Sequence, residues 1–576
     1  MGNGSSSNQS NRAVGVAVQP AALDYVGRYI SGVQSHEGFT IVPSLPKGFK
    51  MFRLSISRLV LLAISALHLH PASAQNSSGL TGTSSASPAA VVAATDACFQ
   101  LQDSLGSLVV QNITTGPQYS IAANAAWNAF NHEVNFQPTC VIFVNSTEDV
   151  QTTMKAIYNT NANYAVQSGG HTAMMGWNTI QDGVMISFAN MNATSYDPET
   201  DTISMQPGVS WGNASTIVEP FGVAPAGGRI SNVGTGLLLG GGLSYLSPSE
   251  GYAADNYYSL DVVLMNGTLV TATASNQYAD LFKALKGGGN RFGIVTKYVV
   301  KAVHVGREED KIYWGGIFVY PNSSSEALLP AIAHFAHDTN DTNAVLATDF
   351  ITSWGSGGVE PTIQLEMFYN GTAAAFNESF AEFLAIPYTS ATVGPLSYLD
   401  LVNEVNFPYG EGNVFAGSVL GGVPSNSNET SIASADDYIE TYRLFNNFSA
   451  TYADSTEISS TLLSLTPVLQ SQIRISYEKG GNAISPPTDQ GGFNEVLFAV
   501  TYSQGVNQPP DSVEQGRQFW IQNTPRTAGL PLFVNEADAR QQVLASYGGY
   551  DFLKQVYAKY DPSGFNIQHT PGPLGL

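Results

Sequence analysis

The sequence has 576 residues, 43% of them hydrophobic, and is longer than one hydrophobic core usually supports, so two domains are expected. Its 45 acidic residues outnumber the 23 basic residues, which gives a formal net charge of −22. A chain with this charge is repelled by phosphate backbones and by anionic lipid. The composition therefore excludes nucleic acid as a partner.

A short apolar stretch near the N-terminus is typical of a signal peptide. Residues 59–69 are mainly apolar, follow two arginines and precede an Ala-Ser-Ala cleavage sequence that ends at Ala74. The stretch is too short to cross about 30 Å of hydrocarbon as a helix. We therefore expect a signal peptide at 51–74, a secreted protein and no stable membrane insertion.

The residues on either side of this peptide are not expected to fold. Residues 1–50 are interpreted as a gene-model or disordered extension, and the alternative is a genuine extension that ends in an uncleaved signal anchor. Residues 75–94 are mainly Ser, Thr, Ala and Gly and contain few large apolar side chains. Such a composition buries too little surface to become ordered, so it predicts a disordered tail.

Cys98 and Cys140 are the two cysteines of the chain, and both follow the expected cleavage site. Two thiols in an oxidising compartment predict one disulfide bond, with a free pair as the alternative. Repeated N-x-S/T sequons predict a glycosylated surface. They include Asn76, Asn112, Asn145, Asn192, Asn266, Asn322, Asn370, Asn377, Asn428 and Asn447.

The pattern of secondary structure changes near residue 305. Residues 95–305 alternate short β-rich runs with helical ones, including a helix over Glu148–Thr160 and a hairpin that turns at Asn266-Gly267, and predict an α+β domain. Residues 306–520 combine strand-like runs with amphipathic helical stretches and predict an antiparallel sheet backed by helices. Residues 521–576 have the composition of ordered globular sequence and need not belong to the second domain.

Three glycine clusters carry the chemical information. They lie at 167–171 (QSGGH), 227–242 and 287–293 (GGGNRFG). Because glycine lacks a Cβ atom, such loops approach a ligand closely, and their backbone N–H groups can cradle a pyrophosphate. Each cluster alone could be a tight turn. Three clusters in one domain, with His171 directly after two glycines, predict a long and extended ligand.

The clusters resemble the flavin-binding domain of the berberine-bridge-enzyme type within the vanillyl-alcohol-oxidase superfamily. The motifs QSGGH, PAGGRISNVGTGLLLGGG and ALKGGGNRFGIVTKY carry the resemblance, which covers roughly Cys98 to Val305 and resumes near the C-terminus. The resemblance implies a two-subdomain, PCMH-type FAD-binding domain at 95–305 and a substrate domain at 306–520. It also implies that residues 521–576 return to the FAD-binding domain.

The resemblance implies that FAD is bound covalently through His171, since this residue ends the R/Q-S-G-G-H motif; a loop histidine or metal ligand is the alternative. Bicovalent relatives have a second, cysteine link where this chain has Arg229 or Ile230, so a fungal-type, mono-covalent flavin is expected. Val233 matches a small residue that leaves oxygen a path to the flavin and favours O2 as the electron acceptor. The other implied FAD-binding residues are Ser168, Gly169, Gly170, Gly228, Gly234, Gly236, Gly240, Gly241, Asn290, Phe292, Gly293, Ile294, Val295 and Asn535.

Other ligand-binding motifs do not fit the chain. Gly234-Thr-Gly236 is followed by three residues before the next glycine, where the Rossmann motif needs two. The cluster at 287–293 lacks the G-K-[ST] of a P-loop, and no G-x-S-x-G elbow indicates a hydrolase. The histidines show no spacing such as H-E-x-x-H, so no metal is predicted.

Oxidation by hydride transfer needs a proton acceptor within hydrogen-bond reach of the leaving proton. Some relatives use a Glu after a Gly-Gly turn, but Gly480-Gly481 is followed by no Glu. Other relatives use a strand tyrosine, and Tyr502 matches it. Tyr502 is therefore predicted to be catalytic, with ordinary strand packing as the alternative. Weaker candidates on facing strands are Glu366, Tyr369 and Tyr477.

The sequence therefore predicts a secreted FAD-dependent oxidase that oxidises an alcohol or related group, passes hydride to flavin N5 and reduces O2 to H2O2. The strands of the substrate domain are rich in Phe, Tyr and Leu, which favours an apolar ring system in a small secondary metabolite. One alternative is an oligosaccharide oxidase of the same family. Another is a non-oxidative cyclase or binding protein that retains the flavin fold.

Overall fold

The structure is a computed structural model, and the residues it describes are 86–111, 116–355, 358–404, 407–426 and 433–576. All of them belong to one compact unit, Gly79–Leu576. The predicted extension and signal peptide, 1–50 and 51–74, lie outside the described residues. So do residues 75–85 of the predicted tail and the sequons at Asn76, Asn112 and Asn428.

Helix α1 spans Pro88–Leu105 and includes residues that were predicted to form a disordered tail. The Ser87 side chain caps this helix by accepting a hydrogen bond from the backbone N–H of Ala90, and proline occupies the first turn. Ala94 is completely buried. The tail prediction was wrong for 88–94 because alanine combines a high helix propensity with a side chain small enough to pack closely.

The first sheet has the strand order β1-β2-β4-β3 and is parallel except for β1, which pairs antiparallel with β2. A disulfide bond between Cys98 and Cys140 joins α1 to β2, as the sequence predicted. The elements of this subdomain are β1 Val109–Gln111, α2 Pro117–Ala123, β2 Cys140–Phe143, α3 Thr147–Thr160, β3 Tyr164–Gln167 and β4 Val184–Ser187.

The second sheet is antiparallel and has the order β5-β6-β10-β8-β9. The predicted hairpin is confirmed, because β8 and β9 pair across a turn in which Gly267 has a φ of 79°. The strands of this subdomain are β5 Thr194–Asp197, β6 Thr202–Met205, β7 Val223–Ala224, β8 Tyr257–Val263, β9 Leu269–Ala272, β10 Ile294–Lys301 and β11 Val303–His304. Its helices are α4 Trp211–Val218, α5 Gly236–Leu239, α6 Ser247–Glu250 and α7 Ala279–Ala284.

The large sheet is antiparallel throughout, has the order β15-β12-β14-β13-β17-β18-β16 and confirms the predicted architecture of the second domain. Its strands are β12 Tyr313–Tyr320, β13 Ala344–Gly355, β14 Gly358–Asn370, β15 Ser390–Leu396, β16 Gly412–Gly421, β17 Ile458–Val468 and β18 Phe493–Tyr502. The helices of this region are α8 Ser325–Asp338, α9 Ala373–Ser379, α10 Ala381–Leu384, α11 Tyr398–Asn403, α12 Ala435–Thr451, α13 Gln470–Glu478 and α14 Asp511–Asn523.

The two faces of the large sheet have different neighbours. Helices α8, α12 and α14 cover one face and enclose an aromatic core that includes Phe498 of β18. Successive residues of a strand point to opposite faces, so Leu497 and Ala499 face away from these helices. That opposite face looks toward the first two sheets and forms one wall of the cleft described below.

The chain returns to the first two subdomains after α14. Helix α15, Tyr550–Tyr560, packs against α7, and α16, Phe565–His569, follows it. The Arg291 guanidinium donates hydrogen bonds to the carbonyl oxygens of Pro573 at 2.7 Å and Thr570 at 3.2 Å. Among the described residues, no helix is long and apolar enough to cross a membrane.

Candidate active site

A cleft of about 570 Å³ lies between the glycine-rich loops and the large sheet. Its walls come from all three glycine clusters, from the helix-free face of the large sheet and from residues 533–536. The volume is in the range of sites that bury a large organic ligand. Residues far apart in the sequence therefore meet around one cavity.

Most of the residues that the sequence assigned to flavin binding line this cleft. They are Ser168, Gly169, Gly170, His171, Gly228, Val233, Gly234, Gly236, Gly240, Asn290, Gly293, Ile294, Val295 and Asn535. Gly241 and Phe292 are not among the lining residues. Phe292 is buried and packs edge to face against Tyr557, and a Cβ atom on Gly241 would collide with Ile484. These two residues support the loops from behind and do not border the cavity, so the prediction that they bind the cofactor does not fit their positions.

The first two glycine clusters are held together by close backbone contact and by shared hydrogen bonds. A Cβ atom on Gly169 would lie 2.7 Å from the backbone nitrogen of Gly234, so neither position has space for a side chain. The hydroxyl groups of Ser168 and Thr235 both donate to the carbonyl oxygen of Pro207, at 2.5 and 2.7 Å. The two loops therefore form one rigid floor.

Asn535 reaches this floor from the C-terminal part of the chain. Its amide donates a hydrogen bond of 2.9 Å to the carbonyl oxygen of Leu237. A Cβ atom on Gly240 would overlap the same amide. Asn535 thus fixes the position of the second glycine cluster and lines the cleft beside it.

His171 lies in the cleft wall against an aromatic neighbour that the sequence analysis did not identify. Its imidazole stacks on the indole of Trp127, with ring centroids 4.1 Å apart and an interplanar angle of 6°. Its Nε2 atom is buried and has no hydrogen-bond partner within the described part of the chain. Burial lowers the pKa of His171 to about 4, and the nearby Asn232 amide opposes this shift. The imidazole is therefore neutral near pH 7.

Two buried asparagines hold the loop that carries His171. The Asn128 amide donates to the carbonyl oxygens of Ala173 at 3.3 Å and Asn413 at 2.9 Å, which ties this loop to strand β16. The Asn131 side chain accepts from the N–H of Gly176 at 2.8 Å. The signal that could have indicated this support is the amide-rich run WNAFNHEVN, which precedes the first parallel strand.

A buried acid–base pair also lines the cleft. The Tyr245 hydroxyl donates a hydrogen bond of 2.8 Å to Glu366 on β14. Glu366 is 6% exposed, and burial together with the neighbouring Asp349 raises its pKa to about 7. Both residues of the pair line the cleft. A carboxyl group with this pKa can gain or lose a proton near neutral pH.

The cleft has the properties that a flavin dinucleotide requires. Close-packed glycine backbones can present N–H groups to a pyrophosphate. Asn178 and Asn290 line the cavity, and their Oδ1 atoms are buried and have no hydrogen-bond partner in the described ranges. Buried polar atoms beside an open cavity fit a ligand that supplies donors. No group of three His, Cys, Asp or Glu side chains in the described part of the chain could hold a metal ion.

Comparison with known proteins agrees with this geometry. The family described as FAD binding domain matches residues 138–273. An FAD-linked oxidoreductase of Arthroderma benhamiae is 29% identical over 431 residues, which cover 70% of this chain and 80% of that protein. An FAD-dependent monooxygenase of Emericella nidulans is 27% identical over 81% of this chain and 95% of its own. The chain is therefore similar to FAD-linked oxidoreductases along most of its length.

A solved structure gives the same fold for this oxidoreductase. A variant of berberine bridge enzyme in complex with (S)-reticuline superposes with a TM-score of 0.63 at 15% identity, over 83% of this chain and 99% of that chain. The two-subdomain FAD-binding fold and the helix-backed substrate sheet, which the resemblance implied, are therefore confirmed.

Tyr502 does not lie in the cleft of the oxidoreductase. Its side chain is fully buried on the helix-facing side of β18 and packs against Phe130, with ring centroids 5.3 Å apart. Burial raises the pKa of Tyr502 well above its ordinary value. The catalytic role predicted for Tyr502 is corrected to core packing, because strand alternation turns its neighbour Thr501 toward the cleft instead.

The structure also shows which of the other candidate bases line the cleft. Tyr369 packs in the helix-facing core, and Tyr477 lies outside the cleft and donates to the carbonyl oxygen of Pro486 at 2.8 Å. Of the candidates named from the sequence, Glu366 alone lines the cleft. Its partner Tyr245 was missed because the two residues are 121 positions apart and no local pattern joins them.

Arg229 is the only arginine or lysine among the described residues that line the cleft. It donates to the Thr466 hydroxyl at 3.0 Å and to the Glu536 carboxylate at 3.3 Å. Its guanidinium therefore links the second glycine cluster to the large sheet and to residues 533–536. The remaining charged groups of the wall, Asp349 and Glu411, are acidic.

Proposed function

We propose that the oxidoreductase is an oxidase that removes two electrons and two protons from an alcohol or related group on a small molecule. Bound FAD would supply the two-electron acceptor at this site, with O2 as the final acceptor and H2O2 as its product. The observation that carries this proposal is the buried Tyr245–Glu366 pair, which lines the same cleft as the three glycine clusters. The pair supplies the proton acceptor that such an oxidation needs.

Glu366 is the proton acceptor in this proposal, and Tyr245 passes the proton to it or holds it in position. The ionised Glu366 carboxylate accepts the hydrogen bond of the neutral Tyr245 hydroxyl. In a relay, the Tyr245 hydroxyl passes its own proton to Glu366 while it accepts a proton from the substrate. A pKa of about 7 leaves about half of the Glu366 carboxyl groups ionised at neutral pH. Glu366 lies on the large sheet, which faces the glycine clusters across the cleft.

We also propose that the flavin is attached covalently, and only through His171. A neutral imidazole with an unshared nitrogen lone pair is the form that can act as a nucleophile. Attachment would form one N–C bond and break one C–H bond of the flavin methyl group and one imidazole N–H bond; the two protons and the electron pair would pass to O2 and give H2O2. Arg229 and Ile230 border the cleft where a second, thiol link would form, and neither carries a thiol.

The composition of the cleft bears on the substrate. The aromatic residues that favoured an apolar ring system lie mainly in the helix-facing core, for example Phe350 and Phe498. The cleft face instead combines apolar and polar side chains: Ile351, Phe407, Phe415, Leu462 and Leu497 with Asp349, Gln364, Glu366, Ser460, Ser464 and Thr501. This mixture supports a ring-containing substrate that carries several hydroxyl groups. A hydroxylated secondary metabolite and an oligosaccharide both have this chemistry.

Secretion and glycosylation are part of the same proposal. Nine sequon asparagines lie in the described ranges, and all are exposed: Asn145, Asn192, Asn213, Asn266, Asn322, Asn340, Asn370, Asn377 and Asn447. Buried asparagines such as Asn128 and Asn494 are abundant, and none in the described ranges belongs to a sequon. The disulfide bond also fits an oxidising compartment.

The test begins with expression from Met51 in a secretory host. Precipitation with acid, followed by the flavin absorbance of the pellet, is compared between the wild type and His171→Ala. The proposal expects a yellow pellet from the wild type alone and a glycosidase-sensitive mass. A yellow pellet from His171→Ala would place the link elsewhere, and a protein without flavin would overturn the proposal.

A panel of hydroxylated aromatic compounds and oligosaccharides then tests the reaction. For at least one compound class we expect peroxide release in air and, in a separate anaerobic assay, bleaching of the flavin by the same compound. Turnover that changes the substrate without peroxide and without bleaching would indicate the cyclase alternative. Flavin that no compound bleaches would favour the binding-protein alternative.

A further inference from the structure

Of the aromatic rings in the described structure, the Trp127 indole has its centroid nearest to that of the His171 imidazole. The planes of the two rings are nearly parallel and the rings are in contact, while the centroid of Phe407 lies 6.4 Å from the imidazole centroid and its ring is tilted by 59°. Trp127 is 3% exposed and lines the cleft. One face of the imidazole is therefore covered by the indole.

The indole is itself held in place from several sides. The backbone N–H of Trp127 donates to the carbonyl oxygen of Gly170 at 3.0 Å, directly before His171. Its carbonyl oxygen accepts from the N–H of Gly410 at 3.3 Å. Phe407 and Phe415 contact the ring at centroid distances of 6.3 and 6.4 Å. A ring fixed in this way can set the plane of the side chain stacked on it.

No charge explains the neutral state of the imidazole. Burial is the largest cause of the lowered pKa of His171, and no ionised group is among its causes. The titratable side chains on the neighbouring segments are His132 and Glu133 after Trp127, Arg229 in the second glycine cluster, and Glu411 on the segment of Phe407. Burial of the imidazole is therefore what lowers the pKa of His171. The Trp127 indole, stacked on one face of the imidazole, contributes to that burial.

We propose that Trp127 is a positioning residue for covalent attachment of the flavin: its indole fixes the plane of the His171 imidazole and excludes water from one face. The indole carries out no bond change in this role. The inference rests on the proposed covalent link through His171. It assigns a role in covalent attachment to a residue outside the glycine motifs. It also predicts that non-covalent binding of FAD and formation of the covalent bond depend on different residues.

The experiment measures the rate at which FAD becomes acid-stable after it is added to apoprotein produced under riboflavin limitation. Trp127→Leu removes the stacked ring, Trp127→Phe retains one, and Trp354→Leu removes an indole from a distant strand end as the matched control. We expect the attachment rate to fall at least tenfold in W127L, to change less than threefold in W127F and to be unchanged in W354L. Non-covalent FAD binding should persist in all three variants.

A pH profile distinguishes positioning from a general loss of structure. The wild-type rate should stay level down to about pH 5, whereas the W127L rate should decline below about pH 6.5, the ordinary pKa of histidine. A W127L variant with the wild-type rate and profile would overturn the inference. If W127L fails to fold, judged by its far-UV circular dichroism, Trp127→Met replaces it and the same criteria apply.

The failure of this inference is distinguishable from the failure of the proposed function. Acid-stable flavin in His171→Ala, or only dissociable flavin in the wild type, would remove the covalent link itself. Acid-stable flavin that requires His171 but forms at the wild-type rate in W127L would leave the link intact and exclude the role of Trp127.

Discussion

A Cβ atom placed on Gly169 would lie 2.7 Å from the backbone nitrogen of Gly234, because the two glycine loops cross in direct contact. The loop of His171 and the second glycine cluster therefore depend on each other for their shape. Glycine is required at this crossing for space, since neither residue has a positive φ. The same crossing positions Ser168 and Thr235 on a shared carbonyl oxygen.

The first prediction concerns this crossing. Gly234→Ala should lower the free energy of unfolding of the apoprotein by roughly 1–3 kcal/mol, because the new methyl group overlaps backbone atoms that cannot rotate away. Gly236→Ala is the matched control, since its Cβ atom would meet nothing within 4 Å. Thermal unfolding of both apoproteins checks this difference. Equal midpoints would mean that the loops adjust freely.

The second prediction concerns the acid–base pair. Glu366→Gln and Tyr245→Phe should each lower kcat by about 10²- to 10⁴-fold, as expected for loss of a positioned proton acceptor, while FAD remains bound. Tyr502→Phe removes the same hydroxyl group from the helix-facing core and should change kcat less than about threefold. Steady-state peroxide release measures all three variants. A large loss in Tyr502→Phe alone would return the catalytic role to that residue.

The third prediction is a dependence on pH. Because Glu366 must be ionised to accept a proton, kcat should rise with pH through about 7 and then level off. Burial raises this pKa above the value in the unfolded chain, so the contribution of Glu366 to stability is present at low pH and is lost as pH rises toward 7. Glu366→Gln should remove both dependences. An unchanged kcat profile in Glu366→Gln would assign the titration to another group.

The fourth prediction concerns a buried ion network that joins α14 to the returning segment. Arg517, which is 3% exposed, donates to Asp538 at 2.5 Å and to Glu514 at 2.9 Å. Arg517→Met should cost about 3–5 kcal/mol of stability, because it leaves buried carboxylates short of a partner. Arg443→Met breaks an exposed pair and should cost less than about 1 kcal/mol. Urea denaturation of both variants provides the comparison.

The network also predicts an acid limit. Hydrogen bonding to Arg540 and the charge of Arg517 outweigh burial and hold the pKa of Asp538 at about 2. A lowered pKa gives stability that is present above the ordinary carboxyl range and is lost as pH falls toward 2. Asp538→Asn should flatten the fall in unfolding temperature between about pH 4 and 2. If the unfolding temperature of Asp538→Asn falls with pH as steeply as that of the wild type, other carboxyl groups control acid unfolding.

The fifth prediction concerns the disulfide bond. Cys98 and Cys140 close a loop of 42 residues. Replacing both cysteines with serine should lower the free energy of unfolding by roughly 3–4 kcal/mol through the entropy of the unfolded chain. The FAD content of the folded protein should not change, because neither cysteine lines the cleft. Loss of FAD from a folded double variant would contradict this separation.

The sequence could predict the residues whose chemistry lies in continuous motifs. The QSGGH loop and the other glycine clusters are such motifs, and most of their members meet in the cleft. Tyr502 was misassigned because β18 is buried along nearly its whole length, so alternation of polar and apolar residues gives no indication of which face is which. The hydroxyl of Tyr502 and that of Thr501 differ by one position and point to opposite sides of the sheet.

Pairs that form only through the tertiary structure left no local signal. Trp127 lies in an irregular segment, and strands β2 and β3 and helix α3 separate it from His171 along the chain. The N–H of Trp127 donates to the carbonyl oxygen of Gly170, so the two rings meet only in the folded protein. Helix α1 was missed for a different reason, since a run of small residues has the same composition whether it packs as a helix or remains unfolded. Composition, unlike a motif, does not identify a partner surface.

The lining of the cleft extends from Trp127 to Pro573. During synthesis the glycine loops leave the ribosome first, and the wall that faces them is missing until the large sheet and the returning segment have followed. Cofactor capture is therefore a late event in the life of the chain. Until the last wall of the cleft is synthesised, the nascent chain exposes apolar residues that can aggregate. Chaperones and the supply of FAD should therefore have their greatest effect on yield before the cleft closes.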